Sequence, residues 1–146
     1  MGLPLIPYFQ TTRYRVTAMI QLAKVTKNDH AADLGSGDGR IAISLAKAGA
    51  EVVGYELDDK LVHLSQDNIN REKLEKKVQI MQKDFWQEDL STYSIITVYP
   101  MPDIMSALEE KLLKELIPGS RVLLNYYPFP TWKPTAVKDH IYLYIR

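Results

Sequence analysis

The spacing of apolar positions changes along this chain, and the changes mark out alternating helices and strands. From Tyr14 to Val25, the residues Val16, Met19, Ile20 and Ala23 fall at i, i+3, i+4 and i+7, which is one face of a helix. Lys27-Asn28-Asp29 closes it with turn residues. His30 to Leu34 then predicts a first buried strand, and Arg40 to Ala48 a helix closed by Gly49. Glu51 to Glu56 reads as a second strand. Asp58 or Asp59 can cap the next helix, which carries Leu61, Leu64, Asn68 and Ile69. Arg71 to Lys77 is densely charged and reads as a solvated helix end and loop. Val78 to Gln82 and Ile95 to Tyr99 predict strands three and four. Ile104, Leu108, Leu112 and Leu116 recur every four residues and mark a helix that Pro118-Gly119 ends. Arg121 to Tyr127 is a fifth strand, Phe129 to Pro134 a stiff aromatic loop, and His140 to Ile145 a last strand.

Strands alternating with helices imply an α/β fold, a mainly parallel sheet covered on both faces. Ligands in such sheets bind outside the carboxyl ends of the strands. The 146 residues fit one domain, with residues 1–28 as lead-in and first helix and 29–146 as the core. Hydrophobic residues at 46% and charged residues at 25% are ordinary for a soluble globule. The formal net charge of zero argues against a large basic footprint for nucleic acid, and DNA is not an expected partner. There is no cysteine, which excludes a disulfide framework, a thiol nucleophile and a cysteine zinc site. His30, His63 and His140 lack ligand spacing, so no metal is expected. No apolar run approaches the roughly 18 residues of a membrane span. Pro4 and Pro7 interrupt any signal h-region, so a cytoplasmic location is the default expectation.

The chemistry concentrates at Asp33-Leu34-Gly35-Ser36-Gly37-Asp38-Gly39-Arg40. Glycine tolerates positive φ and close approach of a ligand to the backbone, and the following helix offers free N–H groups. The dinucleotide fingerprint needs a glycine where Arg40 stands, and no Gly-Lys-Ser/Thr follows as a P-loop would need. Seventeen residues after Gly39, Glu56 ends the second strand, where an acid accepts hydrogen bonds from ribose hydroxyls in nucleotide-binding α/β units.

Asp-x-Gly-x-Gly-x-Gly after an apolar run resembles motif I of the class I S-adenosylmethionine (SAM) dependent methyltransferases. That resemblance implies a three-layer Rossmann-like sheet, mainly parallel with an antiparallel C-terminal strand, and SAM as cofactor. It implies a cofactor site made of Asp33, Gly35, Ser36, Gly37, Gly39, Glu56 and Leu57. Asp84 would accept from the adenine amino group, with Phe85 as apolar surface; Asp84 also reads as a loop carboxylate or helix N-cap. The lead-in Pro7 to Thr12, the Leu108 to Leu112 run, the Pro118 to Val122 step, the Phe129 to Pro134 loop and the final Tyr142-Leu143-Tyr144 narrow the resemblance. Together they resemble the archaeal broad-specificity protein-lysine methyltransferases and their mitochondrial relatives. On that basis Tyr8 and Thr11 would close over the methionine end of SAM, and Tyr99 would border it. Two features depart from the branch: Gln10 and Thr12 replace lead-in prolines, and the segment between Pro134 and His140 leaves a sixth strand vestigial at most.

Enzymes of this class that methylate amides or exocyclic amines usually carry Asn/Asp-Pro-Pro-Tyr/Phe after strand four. Tyr99-Pro100-Met101-Pro102 stands here, without the Asn or Asp, which counts against adenine-N6 and glutamine methylation. A lysine amine must instead lose a proton, at about 4.6 kcal/mol from a pKa of about 10.4 at pH 7. A sulfonium at about 4 Å opposes the cation by about 4 kcal/mol at an effective dielectric of 20. The two are similar, so no dedicated general base is required. Aromatic walls suit the lysine stem and a methylated ammonium. Tyr99 and Trp132 are assigned to substrate positioning, with Tyr126 and Tyr127 as further candidates; core packing is the alternative for each. The expected function is methyl transfer to protein lysine. A methyltransferase for RNA or a small molecule is the rival enzyme, and a SAM-binding partner subunit without catalysis the rival of another class.

Overall fold

The computed structural model describes residues 11–98 and 102–146. The elements are α1 (Arg13–Ala23), β1 (His30–Leu34), α2 (Arg40–Lys47), β2 (Glu51–Tyr55), α3 (Asp59–Arg71), β3 (Val78–Met81), β4 (Ile95–Val98), α4 (Met105–Glu115), β5 (Arg121–Asn125), β6 (Ala136–Lys138) and β7 (Ile141–Ile145). Short 3-10 turns cover Phe85–Gln87 and Pro102–Ile104. The seven strands lie in the order β3-β2-β1-β4-β5-β7-β6. The first five pair in parallel, whereas β7 runs antiparallel to both β5 and β6. The expected antiparallel C-terminal strand is therefore present. The short segment after Pro134 also forms a strand, three residues long at the sheet edge.

Alternation along the strands feeds two apolar layers. One holds Ala31, Val52, Ile95 and Leu123 against α1, α2 and α3. The other holds Leu34, Ile96, Val98, Val122 and Leu124 against α4, Phe85 and Tyr144. At the amino ends of the strands Arg121 pairs with Asp29 and also donates to the Ala23 carbonyl, while Ser94 Oγ donates to Asp29 Oδ1 at 2.8 Å.

Several boundaries differ from those the sequence predicts, each for a local reason. The first helix stops at Ala23 because Lys24 turns left-handed, φ 49°. The fifth strand stops at Asn125 because Tyr126 takes φ 79°. The second stops at Tyr55, although the Glu56 N–H still donates to the Met81 carbonyl at 3.1 Å. On α3 the buried face is Val62, Ser65 and Ile69, not a stripe including Leu64, which is 43% exposed. Its N-cap is Asp58, which accepts from the Leu61 N–H at 3.0 Å.

Candidate functional site

Register places the glycine turn. Leu34 pairs with Tyr55 on one side and Val98 on the other, so the turn leaves β1 where the chain order of the strands reverses. The N–H groups of Gly35 and Ser36 both reach the Tyr55 carbonyl at 2.9 Å. Gly35, Gly37 and Gly39 have φ of 74°, 58° and 86°, the region that glycine occupies without strain. A Cβ on Gly35 would meet nothing within 4 Å, so this side of the turn is open. Gly54, inside β2, answers a different need. A Cβ there would fall 2.5 Å from Ser36 Oγ and 2.7 Å from Ile80 Cδ1, so its missing side chain lets the turn settle on the sheet.

Asp33 lies beneath the turn with 2% exposure, and its Oδ1 accepts from Thr97 Oγ1 at 2.8 Å. Burial pushes its pKa up to about 7, opposed by the Thr97 and Ser36 hydroxyls and reinforced by the negative charges of Glu56 and Asp38. Among the described residues Asp33 Oδ2 and Ser36 Oγ complete no hydrogen bond of ordinary geometry, although the Ser36 hydroxyl lies close enough to Asp33 to favour its charged form. Buried polar atoms left this way in a folded chain point to a ligand or ordered water. A cationic or hydrogen-bonding ligand over the open side of Gly35 fits these atoms, and the sulfonium and amino acid end of SAM has that chemistry.

Glu56 braces the turn. Its Oε1 accepts from the Gly37 N–H at 2.8 Å, and its Oε2 from the N–H groups of Leu57 and Asp58 at 2.9 and 3.0 Å. A carboxylate offers about four acceptor sites, so one direction remains for a hydroxyl. Leu57, beside it, is 53% exposed and free to cover a ring. Asp84 caps the 3-10 turn through the Trp86 N–H at 3.0 Å. The N-cap alternative thus describes its bond within the chain. Phe85 is 8% exposed and packs into the core, offering a ligand little surface.

The lead-in joins the site through Thr11, which is buried. Its carbonyl accepts from Arg40 Nη1 at 2.8 Å and its Oγ1 from Asn125 Nδ2 at 2.9 Å, tying the start of α2 to the end of β5. Tyr8 and Tyr99 lie outside the described residues. A cavity of about 360 Å³ lined by Arg13, Asp38, Arg40, Asn68, Arg71 and Glu72 flanks the turn between α1, α2 and α3.

Trp132 is not at the rim where the sequence alone would put it. Its ring stacks on Phe129 at 5.6 Å and packs on Tyr144 at 5.1 Å. Tyr144 pairs with Val122, toward the amino end of β5, so the aromatic loop descends along the α4 side. Glu109 of α4 holds it there, accepting from the N–H groups of Thr131 and Trp132 at 3.0 Å each and from the Thr131 hydroxyl. The aromatics at the rim are Tyr126, 43% exposed and stacked on His140, and Tyr127 beside it. The Arg15 guanidinium lies 5.2 Å from the Tyr126 ring centre.

Two residues of the site, Thr97 and Asn125, escape the sequence motifs, while Gly54 and Glu109 lie within runs that carry the resemblance but are given no role there. Each carries a weaker signal. Gly54 interrupts a β-branched strand, a mark of close backbone approach. Thr97 and Asn125 are polar positions in otherwise apolar buried strands, and Glu109 sits beside the apolar stripe of its helix.

A glycine turn after β1, an acid after β2 and a sheet with β7 reversed define a Rossmann-like methyltransferase of the SAM-dependent class. Within it, the chain belongs to the family described as the ANTKMT methyltransferase domain, whose model matches residues 33–136. The chain is 34% identical over 133 residues to the Mus musculus adenine nucleotide translocase lysine N-methyltransferase, covering 90% of itself and 58% of that protein. It is 32% identical to the Saccharolobus islandicus protein-lysine N-methyltransferase, covering 97% and 94%. Among solved structures it resembles a Salinibacter ruber RNA methyltransferase in complex with S-adenosyl-L-homocysteine (SAH), with a TM-score of 0.89, 32% identity, and coverage of 94% and 93%. The chain thus spans a little over half of the mouse relative and nearly all of the other two.

Proposed function

We propose that this chain transfers the methyl group of SAM to the side-chain amine of protein lysines. The observation that carries the reading is the pairing of open Gly35 with the buried, incompletely bonded Asp33 and Ser36 at the strand ends. SAM supplies a methyl group activated on a sulfonium. Gly35, Gly37 and Gly39 let it approach the backbone, Asp33 and Ser36 face its amino acid end, Glu56 takes the ribose and Asp84 the adenine. Leu57 covers the ring, Phe85 supports that wall from the core, and Thr11, Tyr8 and Tyr99 enclose the methionine side. Trp132 acts on this reading by carrying the loop and not by touching the amine. The acceptor approaches from the β4–β5 side, where Asn125, Tyr126 and Tyr127 end the sheet. The chain's task there is to hold a neutral amine in line with the methyl group.

Near-complete coverage of the Saccharolobus relative supports lysine as the acceptor. RNA is the second reading, favoured by the similarity to the Salinibacter structure. The two separate by incubating the protein with tritiated SAM and a cell lysate, then treating with nuclease or protease. Label that survives nuclease and is lost to protease is expected; label lost to nuclease alone would establish RNA as the acceptor.

A further inference from the structure

Asn125 is the last paired residue of β5, opposite Ile141, and is fully buried. Its Nδ2 is committed to Thr11 Oγ1 at 2.9 Å, while its Oδ1 has no hydrogen-bond partner among the described residues. A buried carbonyl oxygen left bare costs about 1–3 kcal/mol, so this one is suited to a donor beyond the described residues.

Three observations locate that donor. Leu124 pairs with Val98, so Asn125 stands one residue beyond the last described residue of β4, at the strand ends. Thr97, which pairs with Leu123 two residues before Asn125, is already used by Asp33 and does not donate to Asn125. Thr11 bridges Asn125 to Arg40 at the start of α2, which puts the amide one residue from the cofactor turn but on the acceptor side. Immediately afterwards Tyr126 turns away with φ 79°, a conformation a tyrosine rarely adopts, and its N–H is held by the His140 carbonyl at 2.8 Å. The amide is thus fixed at the end of the strand.

We infer that Asn125 positions the methyl acceptor, its Oδ1 accepting a hydrogen bond from the acceptor nitrogen. The inference rests on the amine-methylation reading above. Related enzymes that hold amine hydrogens with an Asn or Asp after strand four have no counterpart in Tyr99-Pro100-Met101-Pro102. Here the same carbonyl chemistry comes from the neighbouring strand. A neutral amide suits lysine, because it orients the N–H groups without favouring the ammonium form as a carboxylate would. Asn125 acts on the amine directly, and Thr11 fixes which way its amide faces.

The test uses the full chain and three measurements. Asn125→Ala should lower kcat/KM for a nucleic-acid-free lysate protein fraction by about 10- to 100-fold, the scale of one hydrogen bond to a buried partner, and weaken SAH binding by calorimetry by less than that, through the lost tie to Thr11. Asn125→Asp, nearly isosteric, should move the pH–rate profile to higher pH by about a unit or more, because the added carboxylate holds the amine protonated. In the wild-type protein saturated with SAH, n-butylamine as a mimic of the lysine stem should shift the Asn125 side-chain amide resonance. Loss of SAH affinity in proportion to activity, an unmoved pH profile, or an undisturbed amide resonance would each overturn the assignment. If Asn125→Ala fails to fold, the aspartate variant and the wild-type titration decide the matter. A wild-type protein that binds SAH but labels no protein would overturn the lysine reading itself, and the assignment with it.

Discussion

Asp33 is the residue whose chemistry most exceeds its ordinary value. Its carboxyl is protonated in the folded chain up to about pH 7 and ionised in the unfolded chain above about 3.8. The folded state therefore binds the extra proton between those values, and the associated stability falls as pH rises from about 4 to 7. The gap corresponds to on the order of 4 kcal/mol. Asp33→Asn should flatten that fall and raise the melting temperature at pH 8. A cationic ligand over Asp33 would lower its pKa, so SAM binding at pH 6.5 should release protons from the wild-type protein but not from the variant. Calorimetry in buffers of different ionisation enthalpy reads this directly; equal proton release would separate Asp33 from the cofactor. Glu56→Ala should weaken SAM binding by roughly 1.5–3 kcal/mol, the scale for hydrogen bonds with a charged group. Asp84→Ala should cost less, since Asp84 would meet the adenine amino group near the solvent, whereas Glu56 also braces the glycine turn through the Gly37 N–H. The reverse order in calorimetry would exchange the ribose and adenine assignments.

At the scale of elements, the loop after β5 owes its course to α4. Burial works to raise the Glu109 pKa, and the Thr131 hydroxyl with the N–H groups of Trp132 and Thr131 outweighs it, so the carboxyl lies below its usual range. A depressed folded pKa gives stability that is present above the unfolded value and lost as pH falls through the folded one. Glu109→Ala strips three donors of their acceptor and should destabilise by about 1–3 kcal/mol. Hydrogen exchange should quicken at Thr131 and Trp132 while SAH affinity stays within about twofold. Exchange unchanged at those amides would show that ring stacking alone holds the loop. The aromatic loop is legible in the sequence as an element but not in its direction. Proline and aromatic content say that a segment is stiff, whereas its path depends on a single buried glutamate elsewhere. The same limit applies to α3. Leu64 looks like a core position by type, yet the helix turns Ser65 inward, where a Cβ on Gly39 would lie 3.1 Å from Ser65 Cβ. Close approach of α3 to the turn outweighs the burial of one leucine.

For the molecule as a whole, the alternation of periods carries the order of elements along the chain and the mainly parallel sheet, though not the strand order, because parallel strands buried on both faces read as short apolar runs with turn residues between them. Strand ends then place the glycine turn and Glu56 together without coordinates. Asn125 and Thr97 escape notice because what marks them is partnership across strands, which sequence spacing does not encode. The reversed β7 and the short β6 close the far edge of the sheet, and the carboxyl ends of β4 and β5 are the side proposed for the acceptor. Transfer of the methyl group of SAM to lysine is tested most directly by acid hydrolysis of protein labelled by the purified chain from methyl-tritiated SAM, followed by chromatography against methylated amino acid standards. Label co-migrating with mono-, di- or trimethyllysine is predicted. Label confined to methylarginine, or released as methylamine from a hydrolysed side-chain amide, with none in methyllysine, would contradict it.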